Sequence, residues 1–159
     1  MGSSQRLLSS KEPGFSFSIT QINPFSVGHL TLDQNDQARL SPGYLSDERD
    51  IEHLKKCIDF ILLLLDQPPF KEIVGSIEDH MLLKSDPRKY ILSNIHSGYH
   101  LIGGCQHLIN PDFSFKGCSG LYICDASVMP YFPSSNIHSS VTILAHLFSA
   151  KLASLLNSK

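Results

Sequence analysis

The chain has 159 residues, of which 42% are hydrophobic and 18% charged, and its formal net charge is −2. That length and apolar content suit one domain with a buried core, and the charge balance gives no electrostatic ground for binding nucleic acid or an anionic membrane surface. The longest apolar run, Phe60–Leu65, is too short to span a bilayer.

Residues 1–14, MGSSQRLLSSKEPG, lack an apolar signal core and read as a flexible tail. The four cysteines form no C-x-x-C pair and read as free thiols, mostly buried; together with the missing signal core this favours the cytoplasm over secretion. Phe15, Phe17 and Ile19 alternate with polar residues, as a half-buried strand does. Pro24 and Gly28 then punctuate a turn into a second strand carrying Leu30 and Leu32, followed by a polar loop over Gln34–Ser41. Ser46, with Asp47 and Glu48 behind it, marks a helix start. Ile51, Leu54, Ile58, Ile61 and Leu65 keep helical spacing until Pro68-Pro69 stop it.

Ser85-Asp86-Pro87 opens a short helix that carries Ile91 and Ile95 and ends at Gly98. Residues 109–130 read as extended, with NPDFSFKGCSG forming a hairpin or turn that feeds an apolar strand, Leu121–Cys124. Lacking alternation, that strand is expected to be buried on both faces. A polar break at Asp125–Ser127 and a proline-punctuated loop lead to a final helix, about Ser140–Leu156, with Leu144, Phe148, Leu152 and Leu155 on one face. His138 falls just ahead of that helix. A strand end followed by a helix start offers unpaired N–H groups and a positive dipole end to an anionic or charge-developing ligand. No two histidines share i, i+4 helical spacing beside a carboxylate, so no metal site is expected.

The stretch GLYICDASVMP with Asn136-Ile137-His138 and the alanine-containing helix behind it resembles the C-terminal signature of the GMC (glucose-methanol-choline) oxidoreductases, which are FAD flavoproteins. Three further segments match in order. FSFSITQINPFSVGHLTLD (Phe15–Asp33) resembles the family's strand pair around a P-x-S-x-G turn, and PGYLSDERDIEHL (Pro42–Leu54) its following helix start. Tyr99–Cys105, YHLIGGC, resembles its H-P-V-G-T-C segment. Gly104 stands where threonine is common, and Gln106-His107 replaces the usual Arg-Met, but both histidine positions are intact.

The resemblance implies an α+β fold: an antiparallel sheet with helices over residues 15–104, and a strand-loop-helix segment over 105–159 that returns to an FAD-binding domain. That domain is not expected in this chain, which contains no G-x-G-x-x-G. The last segment should therefore leave apolar surface exposed. The implied chemistry is oxidation of a CH–OH group, with the hydride going to flavin N5 and the proton to a histidine base. His100 matches the family's first active-site histidine, and a histidine suits the role because its ordinary pKa lies near neutrality. His138 matches the second position, which hydrogen-bonds the same substrate oxygen.

The remaining site residues follow by the same matching. Asp125, Ala126, Ile137, His138 and Ser139 carry over as FAD contacts. Tyr99 and Asn136 carry over as substrate contacts, although Asn136 could equally cap its turn. The expected partners are an alcohol and an upstream FAD-binding domain or chain, with no nucleic acid and no membrane span. A different class of reading stays open beside this one: a non-catalytic fragment or interaction module, stable only against a partner chain.

Overall fold

The computed structural model describes residues 13–157; the tail expected over residues 1–14 lies, through residue 12, outside the described residues. The described residues divide into two units. One takes those up to Ser26 together with Tyr44–Gly98, and the other takes Val27–Gly43 together with those from Tyr99 onward.

The first unit is built on helix α1, Glu48–Leu65. The expected start at Ser46 moves one residue on: Asp47 is the cap, its side chain accepting from the Arg49 N–H at 2.9 Å. Glu48 and Asp50 lie in the first turn, where carboxylates meet the positive end of the helix. The helix ends at Leu65 as its spacing predicts. Pro68 then opens a one-turn helix, α2 (Pro68–Lys71), because a first helical turn has no use for the missing N–H. Helix α3 (His80–Ser85) had no clear sequence signal, and α4 (Pro87–Asn94) begins where Asp86 caps the Lys89 N–H. α4 stops four residues short of the expected Gly98, since Ile95 is already extended. Ile51 and Ile58 of α1 close a core with Leu83 and Ile91.

Asp50 is the one buried charged residue among those described, 1% exposed. Its carboxylate accepts from Gln21 Nε2 at 2.5 Å, from the Phe25 and Ser26 N–H groups at 2.8 Å each, and from the Ser26 hydroxyl. Ser26 Oγ in turn accepts from the Asp47 N–H at 3.1 Å. A buried carboxylate is tolerated only when hydrogen-bonded in this way. The P-x-S turn and the S-D-x-R-D helix start are thus fastened by one side chain.

The strand expected over Phe15–Ile19 does not form. Ile19 packs on the core as the alternation implies, but no ladder pairs with the segment, and Phe15 and Phe17 instead lean on Phe70 with ring centroids 6.4 and 6.3 Å away. Alternation sets a face; it does not supply a neighbouring strand.

In the second unit β1 (His29–Leu32) pairs antiparallel with β2 (Ala38–Ser41), Leu30 opposite Leu40. The pairing therefore runs forward into residues expected as loop rather than back to Phe15–Ile19. Asp33 closes the turn by accepting from the Asn35 and Gln37 N–H groups at 2.9 and 3.0 Å. The α+β class stands, with the sheet reduced to this two-stranded ribbon.

The ribbon's stem is pinched. A Cβ on Gly28 would lie 2.5 Å from the Pro42 carbonyl oxygen and closer still to that of Ser41; one on Gly43, at φ +66°, would lie 2.5 Å from the Val27 oxygen. Gly28→Ala is expected to cost about 1–3 kcal/mol through this overpacking, and to erase the Leu30–Leu40 cross-strand NOE. An unchanged NOE pattern would count against the pinch.

Leu121–Cys124 is not a strand either, nor is it buried on both faces: Leu121 is exposed and Tyr122, Ile123 and Cys124 are half-buried. Single bridges join Ile109 to Phe115 and Ser114 to Tyr122, and Phe115 N–H donates to the Leu121 carbonyl at 2.8 Å. Gly117 and Gly120, at φ +84° and +78°, fold the segment back onto 113–115 before a longer ladder can build. Helix α5, His138–Asn157, sets Phe148 against Phe113 and Tyr122, with centroids 5.3 and 5.8 Å away. The expected stripe of Leu144, Phe148, Leu152 and Leu155 is its half-buried face.

No residue of α5 is fully buried, and Ile143, Leu147 and Leu156 stand about 60% exposed. The expectation of exposed apolar surface is met. By length and composition α5 could also cross a membrane, with a mean hydropathy of 1.4 over its most apolar window, a test that core helices of soluble proteins pass as well. The uninterrupted run Phe60–Leu65 was therefore not the segment to weigh.

Candidate active site

Tyr99 adopts a left-handed conformation, φ +60°, which is costly for a residue with a Cβ and turns the chain sharply just before His100. His100 is exposed. Gly103, at φ +85°, takes the next sharp turn without that cost. Two backbone bonds then stitch this loop to the polar break downstream: Gly103 N–H to the Ala126 carbonyl at 3.3 Å and Cys105 N–H to the Ser127 carbonyl at 2.8 Å. YHLIGGC and DAS, twenty residues apart, are thereby neighbours.

Asp125 is exposed and caps a single 3-10 turn, Ala126–Val128, accepting from the Ser127 N–H at 2.7 Å. Cys124 Sγ donates to the Leu144 carbonyl at 3.7 Å. Burial and, after it, the Asp125 carboxylate push the Cys124 thiol up from its ordinary value, so it stays protonated and inert. All four cysteines are free thiols, but the expected burial is not met: Cys57 and Cys118 are exposed and Cys105 and Cys124 only half-buried.

His138 does not precede the last helix; it is the helix's first residue. Its N–H donates to Asn136 Oδ1 at 2.9 Å, and Val141 N–H closes the first helical bond onto the Ile137 carbonyl. The other end of the Asn136 amide, Nδ2, lies 3.4 Å from His100 Nε2. Asn136 thus joins the two histidine positions, one through its ring and one through its backbone. Sequence reasoning left this role between cap and ligand contact. The available signal was an asparagine two residues before a helix's first turn, a position where its side chain reaches back to an unpaired N–H.

The residues matched to FAD divide by accessibility. His138, Ser139 and Asp125 are exposed, Ala126 is half-buried, and Ile137 is buried at 7% exposed. The Ser139 and Ser140 N–H groups have no hydrogen-bond partner among the described residues, as first-turn amides do unless capped. Free donors at the positive end of a long helix fit the carbonyl-rich edge of a flavin.

Solved structures share this fold: formate oxidase superposes with a TM-score of 0.73 at 24% identity, covering 85% of this chain and 26% of that one. Pyridoxine 4-oxidase from Mesorbium loti gives 0.66 at 19% identity, covering 82% and 28%. Among curated relatives, the chain is 26% identical to "Glucose dehydrogenase [FAD, quinone]" of Drosophila pseudoobscura pseudoobscura over 87% of its own length. It is 26% identical to pyranose dehydrogenase of Agaricus xanthodermus over 86%, and 24% identical to oxygen-dependent choline dehydrogenase of Vibrio vulnificus (strain YJ016) over 83%. The chain spans only 25–26% of the length of these relatives. The family model described as GMC oxidoreductase matches residues 24–145. The chain belongs to the GMC oxidoreductase family and corresponds to its C-terminal portion.

Proposed function

We propose that this chain supplies the substrate-side residues of an FAD-dependent oxidoreductase that converts an alcohol to a carbonyl, working against the family's FAD-binding domain. The observation that carries the reading is the Asn136 bridge, which draws the His100 ring to the start of α5 beside the His138 backbone. Relatives named for glucose, pyranose and choline support CH–OH donors as the substrate class.

FAD, when bound, supplies the hydride acceptor at N5. His100 takes the hydroxyl proton on Nε2, and His138 donates a hydrogen bond to the oxygen on which charge develops. Tyr99, beside His100 and exposed, borders the approach of the alcohol. Asp125, Ala126, and the start of α5 at Ile137, His138 and Ser139 hold the flavin. The dipole of α5 favours negative charge there by about 0.3–1 kcal/mol. The open face of α5 around Ile143 and Leu147 is the surface that the FAD-binding domain covers.

The test is to co-produce the chain with the FAD-binding portion of a relative and follow flavin absorbance through purification and anaerobic addition of alcohol. Flavin retained only with the partner, and bleached by alcohol, is the expected result. Flavin bound by the chain alone would overturn the division of labour. No flavin in either case would favour the other reading, a non-catalytic fragment or interaction module.

A further inference from the structure

The two ends of the Asn136 side chain differ chemically, and its surroundings decide which end is which. A backbone N–H can only donate, so the end facing His138 N at 2.9 Å is the oxygen. The NH₂ end is then the one 3.4 Å from His100 Nε2. An NH₂ group also only donates, so the ring nitrogen opposite it must present a lone pair and not a proton. No other hydrogen bond engages the His100 ring among the described residues, so nothing on the Nδ1 side competes for the choice of tautomer.

We infer that Asn136 is a positioning residue: by capping α5 with its oxygen, it turns its NH₂ toward His100 and holds the neutral imidazole as the Nδ1–H tautomer, with the Nε2 lone pair facing the helix start. The inference deepens the proposed function, resting on His100 as the base, because Nε2 is then already the proton acceptor before a substrate arrives. At 3.4 Å between exposed groups the contact is long, so an incoming hydroxyl can replace the amide as donor to the same lone pair. The backbone N–H of His138 would thus set the chemistry of a ring 38 residues before it, with one asparagine between them.

The test is a two-bond ¹H–¹⁵N correlation spectrum of the labelled 159-residue chain at a pH where its imidazoles are neutral, His100 being assigned by its loss in His100→Ala. The wild-type spectrum should show His100 Nε2 at the unprotonated position. Asn136→Asp keeps a good cap for α5 but offers Nε2 only an acceptor, so it should move the proton to Nε2. Asn136→Ala should release the ring to the Nε2–H form that free neutral imidazole favours. His138→Ala keeps the backbone N–H and should leave the tautomer unchanged.

A wild-type Nε2–H signal, or an Asn136→Asp variant with the wild-type pattern, would overturn the inference. The readout needs no flavin. If His100 proves not to be the base, the tautomer result still decides what Asn136 does.

Discussion

Asp50→Ala should be the most damaging single change in the first unit, costing about 3 kcal/mol or more in urea unfolding followed by circular dichroism. It would strand the Phe25 and Ser26 amides, the Ser26 hydroxyl and the Gln21 amide, all of which converge on the buried carboxylate. Unmade bonds at buried donors cost more than made ones contribute, and a loss of this size is a large share of the roughly 5–15 kcal/mol that holds small domains folded.

The same carboxylate should leave a signature in pH. Burial by itself raises the pKa of Asp50, but the bonds from Ser26, Phe25 and Gln21 together hold it below the ordinary value. The unfolded chain therefore takes up the proton first. Its contribution is complete above the unfolded value of about 3.9 and is lost as pH falls through the lower folded one. Asp47, held at about 2 by its bonds to Arg49, titrates in the same region, so the comparison must be differential. Subtracting the Asp50→Asn curve from the wild type should isolate a component confined to acid, and identical slopes would refute it.

His100→Ala, in the complex with an FAD-binding partner, should slow alcohol-dependent flavin bleaching by about 10²–10⁴-fold, the range for loss of a general base, or about 3–5 kcal/mol of barrier. Flavin content should not change, because His100 is exposed, and its one side-chain contact among the described hydrogen bonds is the long one to Asn136. A variant that lost flavin and rate together would assign His100 to cofactor retention. One that kept its rate would send the search for the base to other groups.

The elements with long periodic patterns were legible in advance. α1 and the half-buried stripe of α5 follow their apolar spacing closely because a helix satisfies its backbone from within and needs only one face to pack. Strands need a neighbour, and the two expected strands that do not form fail on that account. Phe15–Ile19 has the alternation without a partner, and Leu121–Cys124 is turned back by Gly117 and Gly120. β2 was missed because Ala38, Arg39 and Ser41 are poor strand formers, and its pairing is set by the Asp33 turn.

At the candidate site, His100 and His138 came from resemblance and not from any physical oddity of their positions, since exposed histidines look alike in a sequence. What no pattern could give was the pair of bonds from Gly103 and Cys105 to Ala126 and Ser127, because backbone stitching leaves no mark on residue type.

The Asp50 clasp also divides the recognisable letters of this sequence by what they would survive. Ser26, Gly28 and Asp50 are fixed by hydrogen bonds and by lack of space, so a descendant that abandoned chemistry but stayed folded would still have to spell them. His100, Asn136 and His138 are exposed, and the fold asks of them only a helix cap. Their drift in sister sequences that keep Ser26, Gly28 and Asp50 would mark a lineage of relics; their persistence would mark selection for turnover.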